Sequence, residues 1–323
     1  MSSRIDSDGP MLSRLRRLVR RQGGLALRGA VNGLLDRTGW LALGKTVTSN
    51  VPAYYTPIPD DDDLPPEFWD REVSMVGVTI DDDVVRRFVE ELVVPHLEEF
   101  RSLYPAWKEN DEDTGFFLFN GSYMAVDAHV LHGIVRSIRP RRVIEIGSGA
   151  STRIIESALR LNQAGRCSSI DPFPSPWLQG IDPSIVELMT TKVQSVPLSF
   201  FDELDKDDIL FIDSSHVVRE GNDVLFEYME ILPRLRPGVL VHIHDVSLPR
   251  RYPKFYFDAQ LFWTEQYLLK AYLTHNSRVE IVWPGNYTIM RHREYVVSTF
   301  PEMLAMRRAF PSSEPTAFWY RVR

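Results

Sequence analysis

One stretch of the chain, residues 143–152, constrains its fold more than any other. An apolar run typical of a buried strand ends at Ile146, glycines follow at Gly147 and Gly149, and a helical pattern begins near Ser151. Glycine allows a sharp turn and a close approach of the backbone to a ligand. The first turn of a helix offers unpaired N–H groups to that ligand. The pattern therefore predicts a ligand-binding turn at the end of a strand.

The third glycine of a dinucleotide-binding fingerprint is missing from this turn. It would fall three residues after Gly149, where the chain has Thr152. The turn therefore suits a ligand without a pyrophosphate better than NAD, and the acidic residue at the strand end favours the same interpretation. We predict an S-adenosylmethionine site that includes Glu145, Gly147, Ser148, Gly149 and Thr152.

From residue 120 onward, helical and strand-like patterns alternate, which predicts a parallel sheet with helices on both faces. Strands are expected at 142–146, 167–170, 209–212 and 239–243, with a weaker one at 192–196. Helices are expected at 125–138, 151–161, 184–191 and 221–232, and a terminal antiparallel pair at 278–283 and 287–290. The predicted fold is α/β, with a Rossmann-like, seven-stranded, mostly parallel sheet and an N-terminal helical extension.

Four motifs occur in the order typical of class I S-adenosylmethionine-dependent methyltransferases: IEIGSGAST, IDPFP, FIDSSH and LVHIHDV. Within that superfamily, the chain most resembles the bacterial metal-dependent O-methyltransferases of sugars and natural products, such as the macrolide-sugar enzymes. It is more distantly similar to catechol O-methyltransferase. The resemblance covers roughly residues 115–292 and implies methyl transfer to a hydroxyl oxygen. It also implies that Glu145 helps to hold the amino-acid end of the cofactor.

Two further residues are expected to bind the cofactor. Asp171 ends the second predicted strand, where a carboxylate can accept hydrogen bonds from both ribose hydroxyls, as its counterpart does in the resembled family. The alternative for Asp171 is a turn residue before Pro172. Tyr123, with Asp127, lies ahead of the first strand and could close over the cofactor, or else pack at the start of a helix.

Asp213 and Asp245 end two neighbouring strands, which brings their carboxylates into one pocket. Two like charges there would repel each other unless they are protonated or bridged by a cation. Carboxylate oxygens favour a hard ion, so Mg²⁺ is the expected metal. Such an ion would orient a diol and lower the pKa of the hydroxyl to be methylated. His244 is the third expected ligand, although an imidazole suits Zn²⁺, Mn²⁺ or Fe²⁺ better.

His216 follows Asp213 by three residues, on the loop that leaves the fourth predicted strand. An imidazole beside the metal and the methyl donor can remove the proton of a sugar-like hydroxyl. The resembled enzymes have a base at this position. His216 and Asp213 are therefore the expected catalytic residues. The alternative for His216 is a structural hydrogen bond to the loop backbone.

The rest of the chain is assigned from its composition. The expected segments are a basic amphipathic arm at 1–50, an acidic linker and helical cap at 51–114, the methyltransferase domain at 115–292 and a C-terminal extension at 293–323. Residues 11–35 could lie on an anionic membrane surface, dock on their own domain, or contact a partner subunit of a homo-oligomer. The net charge of −7 argues against nucleic acid as a partner of the chain outside its basic arm.

The single cysteine, Cys167, excludes an intramolecular disulfide and favours a cytoplasmic location. The expected substrate is a small molecule or a glycan with a free hydroxyl, and the sequence does not specify which one. Two alternatives to a methyltransferase stay open. One is a metal-dependent, hydroxylase-like relative with the same fold, and the other is a non-catalytic module that binds an adenosine ligand.

Overall fold

The computed structural model of the chain describes residues 57–59, 63–108 and 115–323. The predicted basic arm at 1–50, with its membrane-contact segment at 11–35, lies outside the described residues, as does much of the predicted linker. The chain divides after Pro65 into two units, and the larger unit, residues 66–323, contains all the elements given below. Within the described residues, none of the helices is both long and apolar enough to cross a membrane.

Seven strands of this unit form one sheet. They are β1 Arg142–Ile146, β2 Arg166–Ile170, β3 Val186–Met189, β4 Ile209–Ile212, β5 Leu240–Ile243, β6 Val279–Pro284 and β7 Phe318–Val322. Their order is β3-β2-β1-β4-β5-β7-β6. Strands β1 to β5 are parallel, and β7 is antiparallel to both of its neighbours. The predicted Rossmann-like, seven-stranded, mostly parallel sheet is confirmed.

Helices lie between the strands and around the sheet. Their bounds in the described part of the chain are α1 Asp82–Leu92, α2 Leu97–Leu103, α3 Asp127–Ile138, α4 Ala150–Asn162, α5 Leu198–Phe201, α6 Asp223–Phe226, α7 Lys254–Asp258, α8 Glu265–Leu273, α9 Gly285–Arg291, α10 Arg293–Thr299 and α11 Glu302–Ala309. A π-helical turn at Glu227–Ile231 extends α6. The helices predicted near 125–138, 151–161 and 221–232 are therefore confirmed, with small shifts at their ends.

Alternate residues of the central strands pack on opposite faces of the sheet. Val143 and Phe211 belong to one buried cluster, which also contains apolar residues of α3 and α4. Ile144 and Ile212 belong to a second buried cluster on the other face. Because side chains alternate along a strand, each central strand contributes to both clusters. The carboxyl ends of β1, β4 and β5 are thereby fixed between two packed layers.

The predicted helix at 184–191 is wrong, because this segment forms β3. Its residues pair with β2 from Val186 opposite Cys167 to Met189 opposite Ile170. At Ser184, where the predicted helix would begin, the N–H and the hydroxyl both donate to Asp182. Pairing with the sheet edge outweighs the local helical pattern here. The weak strand predicted at 192–196 is also wrong, since a single 3₁₀ turn covers Val193–Ser195.

The predicted strand at 287–290 is wrong as well, because these residues lie in α9. The partner of β6 is instead β7, which lies between β5 and β6. Its sequence FWYRV is rich in aromatic and β-branched residues, which fit a pleated and buried surface. The sheet thus extends beyond residue 292 into the segment predicted as a C-terminal extension.

Two buried histidines of α3 are expected to make the protein less stable in acid. Burial lowers the pKa of His129 and of His132 to about 4. The unfolded chain, with histidine pKa values near 6.5, therefore binds protons first as the pH falls. Stability should be lost between about pH 6.5 and 4, by about 3 kcal/mol for each histidine. Thermal unfolding measured across this range checks the prediction.

His129 offers the cleaner test of the two. Both of its ring nitrogens are buried without a hydrogen-bond partner, and its ring centroid lies 4.2 Å from that of Phe100. His129→Leu keeps an apolar contact and removes the titration, so its melting temperature should fall less steeply with pH than that of the wild type. Equal slopes for the two proteins would count against the assignment.

Candidate functional site

The two glycines after β1 serve different purposes. Gly147 has φ +87°, and a Cβ built on it would collide with the backbone oxygen of Asp213. Glycine is therefore required there by the fold. Gly149 has an extended backbone, and a Cβ built on it would meet no atom within 4 Å. Gly149 thus opens onto free space at the N-terminus of α4, where the sequence places the cofactor.

Glu145 lies beneath this turn and is fully buried. Its Oε1 accepts a hydrogen bond from Ser151 at 2.8 Å, and its Oε2 accepts from Thr152 and Ser169, each at 2.7 Å. Burial raises the pKa of Glu145 to about 7, although the three hydroxyls act in the opposite direction. The Thr152 hydroxyl also accepts the Gly149 N–H. Glu145 and Thr152 therefore stabilise the turn from below, and their contact with a cofactor stays a prediction.

Asp171 lies beside the same turn. Its Oδ2 accepts from the Ser148 N–H at 2.9 Å and the Ser148 hydroxyl at 2.6 Å, and its Oδ1 accepts from the Phe173 N–H at 2.7 Å. It is thus a turn residue, as the alternative interpretation expected. A carboxylate has about four acceptor sites, so these bonds leave Asp171 able to accept from a ribose as well.

Two carboxylates and two imidazoles meet at the carboxyl ends of β4 and β5. We call Asp213, His216, His244 and Asp245 the acid-histidine cluster. His216 Nε2 lies 3.3 Å from Asp213 Oδ1 and 3.5 Å from Asp245 Oδ2. Ligand atoms of these three residues all lie within 4.8 Å of one another. The predicted metal ligands and the predicted base are therefore neighbours.

His244 completes the cluster from the end of β5. Its Nδ1 lies 3.5 Å from Asp213 Oδ1 and 3.8 Å from Asp245 Oδ2, and its Nε2 lies 3.6 Å from Asp127 Oδ2. Burial opposes protonation of His244, but the charges of Asp213 and Asp245 outweigh burial and raise its pKa well above the usual range. Tyr123 is buried with its ring 4.8 Å from the His244 ring. It therefore lies on the cluster, and its closure over a cofactor stays a prediction.

His216 is held from several directions. Its Nδ1 lies 2.9 Å from Glu265 Oε2, and its backbone oxygen accepts from the N–H groups of Thr264 and Glu265. Its ring lies against that of Trp263, with 4.5 Å between centroids. Burial opposes its protonation, but hydrogen bonds to Asp213 and Glu265 raise its pKa well above the usual range. The ring is thus fixed with Nε2 towards the two aspartates.

Glu265 is a candidate site residue that the sequence did not reveal. It is the first residue of α8, is fully buried, and also lies 3.2 Å from the Tyr228 hydroxyl. A charged residue inside an aromatic segment is a weak local signal, and its partner His216 lies 49 positions earlier. His216 and Asp245 also have positive φ values, +61° and +53°, a region that residues other than glycine seldom adopt.

Part of the chain is similar to known proteins. Residues 144–246 match a family model described as a methyltransferase domain. An uncharacterised protein of Archaeoglobus fulgidus is 29% identical to this chain over 163 residues. The aligned residues cover 47% of this chain and 72% of the length of that protein.

Two solved structures illustrate more distant similarity. The O-methyltransferase from Bacillus cereus in complex with SAH is 15% identical, with a TM-score of 0.33 over 75% of this chain and 97% of its own. The plantazolicin methyltransferase BpumL in complex with SAH is 12% identical, with a TM-score of 0.37 over 75% and 98%. Both TM-scores are too low to support an assignment. The evidence for a methyltransferase domain is therefore the family match, together with the strand order of the sheet.

The family match covers the glycine turn and the strand ends that carry the acid-histidine cluster. It begins within β1, just before the glycine turn, and ends one residue after Asp245. The glycine turn, Asp171 and the acid-histidine cluster all lie inside it. The match therefore supports a class I S-adenosylmethionine-dependent methyltransferase domain in this part of the chain.

Proposed function

We propose that the chain is an O-methyltransferase that transfers a methyl group from S-adenosylmethionine to a hydroxyl of a small molecule, sugar or glycolipid, with the help of a divalent ion. One observation carries this proposal. A glycine turn open to a ligand and a held imidazole lie at the carboxyl ends of adjacent strands of one sheet. Ligands of such sheets bind at these ends. The cofactor supplies the methyl group, and the protein supplies alignment and a proton acceptor.

His216 is the proton acceptor in this proposal. Glu265 occupies the Nδ1 side of the ring, so Nε2 is the nitrogen left to face the acceptor. The carboxylates of Asp213 and Glu265 raise the pKa of this imidazole and favour its protonated form. A divalent ion beside Asp213 would offset that charge, and the imidazole, neutral with its proton on Nδ1, would then be a competent general base at Nε2. Asp213 and Asp245 lie next to Nε2 and orient it from the other side.

The acid-histidine cluster has the donors that a divalent ion needs. Asp213, Asp245 and His244 would hold the ion, which would orient the acceptor oxygens and lower the pKa of the hydroxyl. The donor set contains imidazole nitrogen as well as carboxylate oxygen, so Mn²⁺, Zn²⁺ or Fe²⁺ fits it better than Mg²⁺. His216 lies as near to the two aspartates as His244 does, and it can serve as a ligand or as the base, but not as both.

Methyl transfer itself tests the proposed function. The full-length protein is incubated with S-adenosylmethionine labelled in the methyl group and with extracts rich in glycans, glycolipids or polyketides. We expect labelled product from at least one extract, and calorimetry should show binding of S-adenosylmethionine and SAH with much weaker binding of NAD. Binding without transfer would favour the non-catalytic adenosine-binding module, and no binding would refute the proposal.

Removal of metal is expected to lower the rate of methyl transfer and to leave cofactor binding intact. Chelation followed by addition of Mg²⁺, Mn²⁺, Zn²⁺ or Fe²⁺ should restore the rate, with the largest recovery for an ion that accepts imidazole ligands. Asp245→Asn should weaken ion binding, measured by calorimetry. Asp171→Ala is the matched control, because it should weaken cofactor binding and spare the ion. Full activity after exhaustive chelation would refute the metal role.

The hydroxylase-like alternative is favoured by the same donor set. Two imidazoles beside two carboxylates resemble the ligands of oxygen-activating iron sites. Oxygen consumption by the Fe²⁺-loaded protein without methyl transfer would identify this alternative.

A further inference from the structure

A cavity of about 320 Å³ adjoins the acid-histidine cluster. His244 and Asp245 form part of its wall, so a molecule bound in the cavity touches the cluster directly. Arg250 and Arg251 form another part, and Glu314 lines it from the segment ahead of β7. If the proposed function holds, this cavity is the space for the methyl acceptor. The charges of its wall then indicate the chemistry of that acceptor.

Most charged side chains of this wall are already paired. The pairs are Asp127 with His244 at 3.6 Å, Asp245 with His216 at 3.5 Å, and Arg250 with Glu314 at 3.4 Å. Arg251 is the exception. It forms no ion pair with any carboxylate of the described residues, and its Nε is buried without a hydrogen-bond partner.

Arg251 is nevertheless held in place. Its guanidinium carbon lies 4.0 Å from the centroid of the Phe68 ring, which is a cation–π contact. This contact holds the guanidinium against the ring and uses none of its N–H groups. An anionic ligand in the cavity would supply the counter-charge that the described residues do not give Arg251. The fork of N–H groups on arginine matches the oxygens of a carboxylate or a phosphate.

We propose that the methyl acceptor is anionic. It is a hydroxylated molecule whose carboxylate or phosphate group binds Arg251 while its hydroxyl lies against the acid-histidine cluster at Asp245. This inference rests on the proposed function, because it assigns the cavity to the acceptor. A neutral sugar or phenol in the same cavity would leave Arg251 unpaired and would therefore bind more weakly.

Matched ligands test this proposal by calorimetry on the full-length protein, with and without SAH. One series is glucuronate, glucose 6-phosphate and glucose, and the other is 3-hydroxybenzoate and 3-hydroxybenzyl alcohol. In at least one series, an anionic member should bind about tenfold to a hundredfold more tightly than its neutral counterpart, as expected for a hydrogen bond to a charged group. The carboxylate and phosphate members distinguish the two sources of negative charge.

Variants assign the preference to one residue. Arg251→Gln should remove most of it, and Arg251→Lys should retain part of it. Arg250→Gln is the matched control and should keep the preference, because Arg250 is already paired with Glu314. Equal binding of anionic and neutral ligands in both series, or a preference that survives in Arg251→Gln, would overturn the proposal. Failure of SAH to bind the same protein would instead overturn the proposed function, and the titrations without SAH would still report the anion preference.

Discussion

Replacement of Gly149 by valine is expected to reduce the affinity for S-adenosylmethionine and SAH by about a hundredfold or more, with little change in thermal stability. A Cβ at this position meets no protein atom within 4 Å, and the extended backbone at φ 179° accommodates other residues. The added methyl groups would instead occupy the space of the ligand at the N-terminus of α4. Forcing extra groups into a fitted site typically costs about 1–3 kcal/mol or more. Calorimetry with SAH checks the affinity, and Gly149→Ala should give an intermediate loss.

Gly147→Ala is the matched control, with the opposite expected result. Its φ of +87° and the collision of a Cβ with the Asp213 backbone oxygen make glycine a requirement of the fold. This variant should lower the free energy of unfolding by about 2 kcal/mol or more. If Gly149→Val bound SAH with unchanged affinity, the ligand could not lie against this turn. The assignment of the cofactor site would then be wrong.

The sequence predicted those strands whose local pattern and whose pairing in the sheet favour the same structure. The strands β1, β4 and β5 are almost entirely buried and have mostly apolar sequences, which is typical of strands covered on both faces. The glycine at position 147 indicates the end of β1 independently of the apolar pattern. The residues of the site follow from these strand ends, which explains why the sequence pattern alone predicts that Asp213 and Asp245 are neighbours.

The errors lie where tertiary pairing decides the structure. β3 has a local pattern that also suits a short helix, and only its pairing with β2 selects the strand. β7 begins 34 positions after the end of β6 in the chain and is inserted between β5 and β6. The sequence of residues 278–290 does not indicate that β6 pairs with a strand so far along the chain. The same reasoning applies to Glu265, because its function depends on contact with His216 rather than on its sequence neighbours.

His216→Ala is expected to lower kcat by about a hundredfold to ten-thousandfold, which is the usual contribution of a positioned general base. The affinity for SAH should barely change, because His216 lies on the acid-histidine cluster rather than on the glycine turn. Added imidazole should restore part of the rate by entering the space left by the ring. Metal content measured on the same variant separates the two possible roles. If His216 is the base, the variant should retain its metal ion. If His216 is a metal ligand, the variant should contain less metal than the wild type.

Glu265→Gln extends this test to the residue that orients the base. The amide keeps the shape of the carboxylate but loses the charge that holds the Nδ1 proton of His216. A hydrogen bond to a charged group is worth about 1.5–3 kcal/mol, so kcat should fall about tenfold to a hundredfold, with KM nearly unchanged. In the His216→Ala background, the same substitution should have little further effect, since the two residues act as a unit.

Glu227→Gln is the matched control for Glu265→Gln. Glu227 is also fully buried, but its side chain accepts from the Ser214 hydroxyl and makes no hydrogen bond to His216. Turnover of Glu227→Gln should therefore stay near that of the wild type.

Near-normal turnover of His216→Ala would show that His216 is structural. The proton acceptor would then have to be His244 or a hydroxide on the bound metal.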